Sequence, residues 1–386
     1  MPAELPIIQM VHRPGLIDLA WGHPDPELLP VAALHRASRA ALESFGPDML
    51  QYGHPNGPGP LVGYLAERIA QREGRRPAPD ELLVTGGISI GLELVLRHVA
   101  QPGDVVLVES PTYHLALRIM RDHGLTLIPV PTDAGGLRLD ALAEIVAAQQ
   151  RSGYPARALY LVPTFSNPTG RSLAAERRPA LVALAQAAGL LIIEDDVYRE
   201  LAYDAPAPPS LWSLAPAGVV ARLGAFTKSL APGLRLGWLT GGPDLINALS
   251  NGGLLDSGGG LNHFTALVVA ALCQAGDYDP HVARLIAAYR LRRDTLVAAL
   301  REHLPSGCRV ETPGGGFFIW VELPEGVESD ALLPAAEAAG VAYIPGQRFH
   351  LDKRGHNTLR LAFSLYPPEH LAEAARRLGA ALRARP

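Results

Sequence analysis

Between residues 81 and 240, short β-branched runs alternate with longer stretches of helical periodicity, and few folds accept that pattern. "ELLVTGG" (81–87) reads as a strand ending in glycines, "ISIGLELVLRHVA" (88–100) as a helix, and "DVVLVESP" (104–111) as a strand stopped by proline. The alternation continues through "YHLALRIMRDHG", "LTLIPVP", "LDALAEIVAAQQR", "ARALYLVPT", "AAERRPALVALAQAAG" and "LLIIEDDVY". Two more strand candidates follow, "VVARLGAFTK" and "LRLGWLTGG". Strands that are apolar throughout are buried on both faces, and helices between them supply the crossovers that parallel strands need. The expectation is an α/β architecture with a mainly parallel sheet between helices. Ligands of such sheets bind outside the carboxyl ends of the strands. The polar clusters that follow these strands are therefore the candidate site.

The last third reads differently. "PHVARLIAAYRLRRDTLVAALREHL" (280–304) predicts a long amphipathic helix with a break, and "FFIWVELP", "AYIP" and "TLRLAFSL" predict strands separated by helices. This is the pattern of a smaller α+β domain. Residues 1–45 have few strand signals and are expected to return to it. The predicted division is 46–289 for the large domain, and 1–45 with 290–386 for the small one.

Composition narrows the function. The 386 residues carry 34 Lys plus Arg against 38 Asp plus Glu, mixed along the chain, so no basic block marks a nucleic-acid surface. The two cysteines, Cys273 and Cys308, have no metal-site or CxxC spacing, which fits a reducing compartment. No leader pattern opens the chain, and its apolar runs are too short to span a membrane. A cytoplasmic protein with no membrane and no metal is the expectation.

Only two of the basic residues are lysines, Lys228 and Lys353. Lys228 sits in "GAFTKSLAPGLRLGW" (224–238), a small-residue, apolar setting. Partial burial and a nearby cation lower a lysine's pKa and make it a nucleophile toward carbonyls. Arg235 follows a Pro–Gly turn that can fold it back toward Lys228. In "SNPTG" (166–170), Asn167 opens a turn after a strand. In "EDDVY" (194–198), three acids end an apolar strand, where only cationic partners make them tolerable. Asp196 is a helix N-cap candidate; Asp195 can face a protonated ring nitrogen and Tyr198 a ring hydroxyl. "TGGISIG" (85–91) leads a glycine turn into a helix, an anion-binding arrangement that lacks the P-loop lysine. Tyr113, after the strand ending "ESP", offers an aromatic face to a planar ligand. In "NTLRLAFS" (357–364), Arg360 alternates with apolar residues; facing inward, it calls for a carboxylate. Arg13 is a weaker candidate for a second carboxylate.

These pieces, in this order, resemble the pyridoxal 5'-phosphate (PLP) enzymes of fold type I, the class I/II aminotransferases. The likeness runs from "LAWGHPDPELLP" to "NTLRLAFS" and is nearest the 2-aminoadipate and kynurenine aminotransferase subgroup. It implies a mainly parallel seven-stranded sheet, a smaller α+β domain and a homodimer with shared active sites. It also implies roles. Lys228 would form the Schiff base with PLP and move the proton at the substrate's Cα, in ping-pong chemistry. Asp195 would pair with the pyridine N–H, Asn167 and Tyr198 would bond the ring hydroxyl, and Tyr113 would stack on the ring. Arg235, the turn Gly87, Ile88 and Ser89, and Thr227 would hold the phosphate, joined by Tyr52 of a neighbouring subunit. Arg360 would bind the substrate carboxylate, with Gly22 and Asn262 lining the way in. The chain departs from the family's frequent Ser-Gln at Ile88-Ser89, and from its frequent Ser at Ala225, which removes side-chain donors from the phosphate cup. The same framework supports a specialised PLP-dependent lyase, replacement or cyclisation enzyme of secondary metabolism, which is the alternative. The effector domain of MocR-type regulators is also similar, but "LAWGHPDP" starts at residue 19, which leaves little room for a DNA-binding domain ahead of it.

Overall fold

The computed structural model describes residues 7–9 and 13–384. The first residues, on which the reading of a missing leader rests, lie partly outside that range. The strands are β1 Ile17–Asp18, β2 Leu82–Thr85, β3 Val105–Ser110, β4 Thr126–Asp133, β5 Gly136–Leu137, β6 Ala158–Leu161, β7 Leu191–Asp195, β8 Val220–Ala225, β9 Gly237–Thr240, β10 Arg309–Val310, β11 Phe318–Glu322, β12 Val341–Ala342, β13 Ile344–Pro345 and β14 Thr358–Ala362.

The main sheet has the order β2-β9-β8-β7-β6-β3-β4-β5. Pairs β8–β7, β7–β6, β6–β3 and β3–β4 are parallel, while β9 runs antiparallel between β2 and β8. The sheet therefore has eight strands, not the expected seven. The extra one, β5, is a two-residue hairpin return of β4 through Ala134 and Gly135, too short to show as a sequence pattern.

Alternate residues of each strand enter different cores, as the period of two demands. Leu83, Val106, Val108, Tyr160 and Ile193 face one core. Leu82, Val84, Leu107, Leu159 and Ile192 face the other. The first core continues without interruption into β11, β14 and the helix Pro368–Arg383, so one apolar interior joins the main sheet to the smaller one.

That smaller sheet is antiparallel, with the order β10-β11-β14-β13. Its neighbour is a parallel two-residue pair of β1 with β12, which brings the N-terminal segment beside residue 341. The helix Val31–Phe45 goes the other way. Its Ala37 and Ala41 join the second core, with Leu267 and Ala270 of the helix His263–Gln274.

The helix Tyr278–His303 is continuous, which corrects the expected break. After Pro280, in its first turn, the segment contains no Gly or Pro to interrupt it. Among the described residues, no helix is long and apolar enough to cross a membrane.

Candidate active site

The strand order reverses between β3 and β6, where the chain has built outward in both directions. Crevices form at such switch points. Asp195 ends β7, and the segments that leave β3, β6, β7 and β8 at their carboxyl ends carry Tyr113, Asn167, Tyr198 and Lys228.

Lys228 Nζ donates to the carbonyl of Gly22 at 2.8 Å and lies 5.3 Å from the Phe317 ring centre. Burial lowers its pKa to about 8, assisted by Arg360 and Arg235 and opposed by Asp195. The half-buried His23 also feels this amine. The amine is thus poised to lose its proton near neutrality, as the sequence context anticipates.

The three acids at the end of β7 part ways. Glu194 turns to the protein side, accepting the backbone N–H groups of Leu211 and Trp212 at 2.9 Å each. Asp196 pairs with Arg199 and with Arg222, whose Nε lies 2.8 Å from its Oδ2, and Arg222 also meets Glu73 at 2.6 Å. No helix starts at Asp196, so the N-cap reading is corrected: it anchors a buried ion cluster. Asp195, like Glu194, has no arginine partner, and it takes a side-chain hydroxyl instead. Its Oδ2 accepts the Tyr160 hydroxyl at 2.7 Å, while its buried Oδ1 has no partner among the described residues. Burial raises its pKa to about 6 against the Tyr160 hydrogen bond and the Val197 N–H.

Arg360 lies in β14, opposite Trp320 of β11, and is 3% exposed, so it faces inward. Its Nη1 donates to Asn167 Oδ1 at 2.8 Å and its Nη2 to the Ala20 carbonyl at 2.5 Å. The guanidinium lies 4.1 Å from the Phe318 ring centre and 5.0 Å from that of Phe349, and buried Nε is unpartnered. Burial lowers its pKa to about 10. Tyr198 is buried against Phe317 and Phe318, and burial pushes its phenol well above the ordinary range.

Gly87, with φ of 87°, is the residue before the helix Ile88–Val99. Arg235 folds over this turn, its Nη2 3.3 Å from the Gly86 carbonyl. The positive φ at Gly87 favours glycine, and a Cβ there would push on Arg235 Nη2, 2.8 Å away, which a flexible side chain can yield. Ser89 and Arg235 are exposed and Thr227 is half-buried at this edge. A Cβ at Gly22 would come within 2.7 Å of the Phe318 ring. Asn262, in the left-handed conformation before the helix His263–Gln274, donates to the Arg235 carbonyl.

Tyr52 is the site candidate that the fold leaves apart. It is 85% exposed, beside Gly259. Arg13 is committed elsewhere, with Asp18 and Glu337 each at 2.8 Å. The sequence reading missed Tyr160, the Ala20 carbonyl and the Phe318–Phe349 clamp. Tyr160 carried a signal: it is the one hydroxyl in an otherwise apolar strand.

The arrangement fits PLP on its own geometry. It offers a low-pKa lysine, an unpartnered buried carboxylate oxygen, and a helix N-terminus roofed by an arginine. The family model for aminotransferase class I and II matches residues 14–378. The chain belongs to this family. It is similar to aromatic-amino-acid aminotransferase 1 of Thermococcus litoralis, at 33% identity over 96% of this chain and 89% of that one. It is 34% identical to the 2-aminoadipate transaminase of Thermus thermophilus, over 98% and 92% of the two chains. Among solved structures, the kynurenine aminotransferase of Pyrococcus horikoshii in complex with PMP superposes with a TM-score of 0.90 at 33% identity, covering 96% of this chain and 91% of that one.

Proposed function

We propose that this chain is a PLP-dependent aminotransferase that moves the amino group of an L-amino acid to a 2-oxo acid. The observation that carries this reading is Lys228, the one lysine in the site, held with its amine between the field of Arg360 and that of Asp195.

Bound PLP supplies an electron sink for negative charge developing at the substrate's Cα. Asp195 Oδ1 would accept the pyridine N–H, and Tyr160 keeps that carboxylate oriented. Asn167 and Tyr198 would bond the ring hydroxyl, and Tyr113 would cover the ring. Gly87, Ile88, Ser89, Thr227 and Arg235 would hold the phosphate. Arg360 would take the substrate carboxylate, with Nε free and Asn167 fixing the guanidinium plane. Lys228, neutral above about pH 8, would accept and hold the proton of the substrate's Cα. Gly22 and Asn262 would border the approach.

Exposed Tyr52 supports a homodimer in which it completes the phosphate site of the partner subunit. The same reading makes the protein cytoplasmic and divides it into 46–289 and 1–45 with 290–386; the separate antiparallel sheet and the β1–β12 pair support the smaller part, while the helix Val31–Phe45, packed in the second core, argues for moving that segment to the larger one. The donors would fall among the aromatic and 2-aminoadipate types named for the relatives.

The test is to load the protein with PLP and add single L-amino acids without an acceptor. Recovery of pyridoxamine phosphate with one equivalent of 2-oxo acid supports transamination and ranks the donors. Ammonia release without pyridoxamine phosphate would replace this reading with elimination chemistry.

A further inference from the structure

We infer that Arg68, in the helix Gly59–Glu73, is a positioning residue that holds Lys228 and Tyr198 in place through two separate arms. The inference rests on the roles proposed above for those two residues.

The first arm runs to Tyr198. Arg68 Nε and Nη2 donate to the two carboxylate oxygens of Glu200 at 3.1 and 2.8 Å. Glu200 stands two residues after Tyr198, inside the turn closed by the Leu201 N–H on the Tyr198 carbonyl at 2.8 Å. The second arm runs to Lys228. The Arg68 guanidinium lies 4.7 Å from the Tyr278 ring centre, and the Tyr278 hydroxyl is 2.6 Å from Ser229 Oγ. Ser229 follows Lys228 directly. The same ring meets Phe226, two residues before Lys228, edge-on at 5.4 Å between centres. Lys228 is therefore flanked on both sides by groups that Tyr278 fixes.

The remaining Arg68 nitrogen is also engaged. Nη1 donates to Asp279 at 2.7 Å and to the Tyr64 hydroxyl at 3.2 Å. The Arg68 side chain is only 8% exposed and its Glu200 pair is largely shielded, while Asp279 lies toward solvent. A planar fork that binds one carboxylate with two nitrogens while stacking on a ring is a geometry that lysine cannot reproduce. Small displacements of reacting groups are costly: about 1 Å is worth roughly a hundredfold in rate.

The experiment separates the arms with Glu200→Gln and Tyr278→Phe, and cuts both with Arg68→Met and Arg68→Lys. Two readouts are taken. The first is kcat and KM of the PLP-loaded enzyme. The second is the pH midpoint of Lys228 acetylation in cofactor-free protein, read by peptide mass spectrometry against exposed Lys353, the only other lysine. Among the groups around Lys228, Arg360, Arg235, Asp195 and His23 are left intact.

Each single-arm variant should lower kcat by roughly three- to tenfold, and Arg68→Met by about a hundredfold, with KM within about twofold. Tyr278→Phe and Arg68→Met should raise the Lys228 midpoint as water reaches the amine, while Glu200→Gln leaves it unmoved. Arg68→Lys should not restore the rate. Folded variants with wild-type kcat and midpoint would overturn the inference. Should Arg68→Met fail to fold, the two single-arm variants decide it. A wild-type protein that takes up no PLP would overturn the reading of the site and this role together; normal uptake with unmoved variants would remove this role alone.

Discussion

The two sheets contribute to the site in opposite ways. The eight-stranded sheet delivers Asp195 as the last residue of β7, and Asn167, Tyr198 and Lys228 on the segments that leave the carboxyl ends of its strands. The four-stranded sheet delivers Arg360 from the middle of a strand, where all five residues of β14 are buried. A polar group at a strand end meets a crevice that the topology opens for it. A guanidinium in mid-strand has no such opening and must be satisfied by partners from elsewhere, here the Ala20 carbonyl and Asn167. The difference suggests a division of labour, with chemistry on the parallel sheet and recognition on the antiparallel one.

Replacing the amine tests the first half of that division most severely. Lys228→Ala should abolish turnover, with no detectable pyridoxamine phosphate from any amino acid; normal turnover in this variant would dissolve the division. Next comes Arg360→Lys, which keeps a charge but loses the fork and leaves the Asn167 and Ala20 acceptors partly unpaired. It should raise KM for amino acids by about 10²- to 10³-fold, with a smaller change in kcat. A loss confined to kcat would put Arg360 on the chemical side of the comparison.

A third prediction concerns Asp195 in cofactor-free protein. Its folded pKa, about 6, is raised from the ordinary 3.8. Between those values the folded state binds more protons than the unfolded one, so stability falls as pH rises through that window. Asp195→Asn removes the titrating group, and the difference in unfolding free energy from wild type should change by on the order of 2 kcal/mol between about pH 4 and pH 6. Parallel denaturation curves across that range would show that Asp195 is not held in a charge-poor site. The mildest change is Tyr160→Phe. Losing one hydrogen bond to a carboxylate should weaken PLP binding by about tenfold, read by cofactor titration, and leave KM for the amino acid unmoved.

The same contrast explains what could be read in advance. The strand–helix alternation of the main sheet is local, repeated over 160 residues, and legible. β5 was not, because two residues carry no period. The unbroken helix Tyr278–His303 was misjudged because no rule of local periodicity reports which of its turns find a partner. The strand-end motifs were legible because each is complete within about five residues. The Arg222 cluster with Asp196 and Glu73 was not, since it joins residues 26 and 149 positions apart.

Sequence alone determined the residue types of the site: a lysine in a chain of arginines after one strand, an aspartate flanked by two other acids at the end of another, and an arginine alternating with apolar residues within a third. Covalent order fixes which side chains follow a strand, while strand order came only with the tertiary structure. Only the tertiary structure decided which of the three acids at the end of β7 is free. Glu194 accepts the backbone N–H groups of Leu211 and Trp212, Asp196 pairs with Arg199 and with Arg222 from β8, and Asp195 is left with the Tyr160 hydroxyl and no ion pair. That choice depends on desolvation and on charges brought near by folding, and neither is written in the order of the residues themselves.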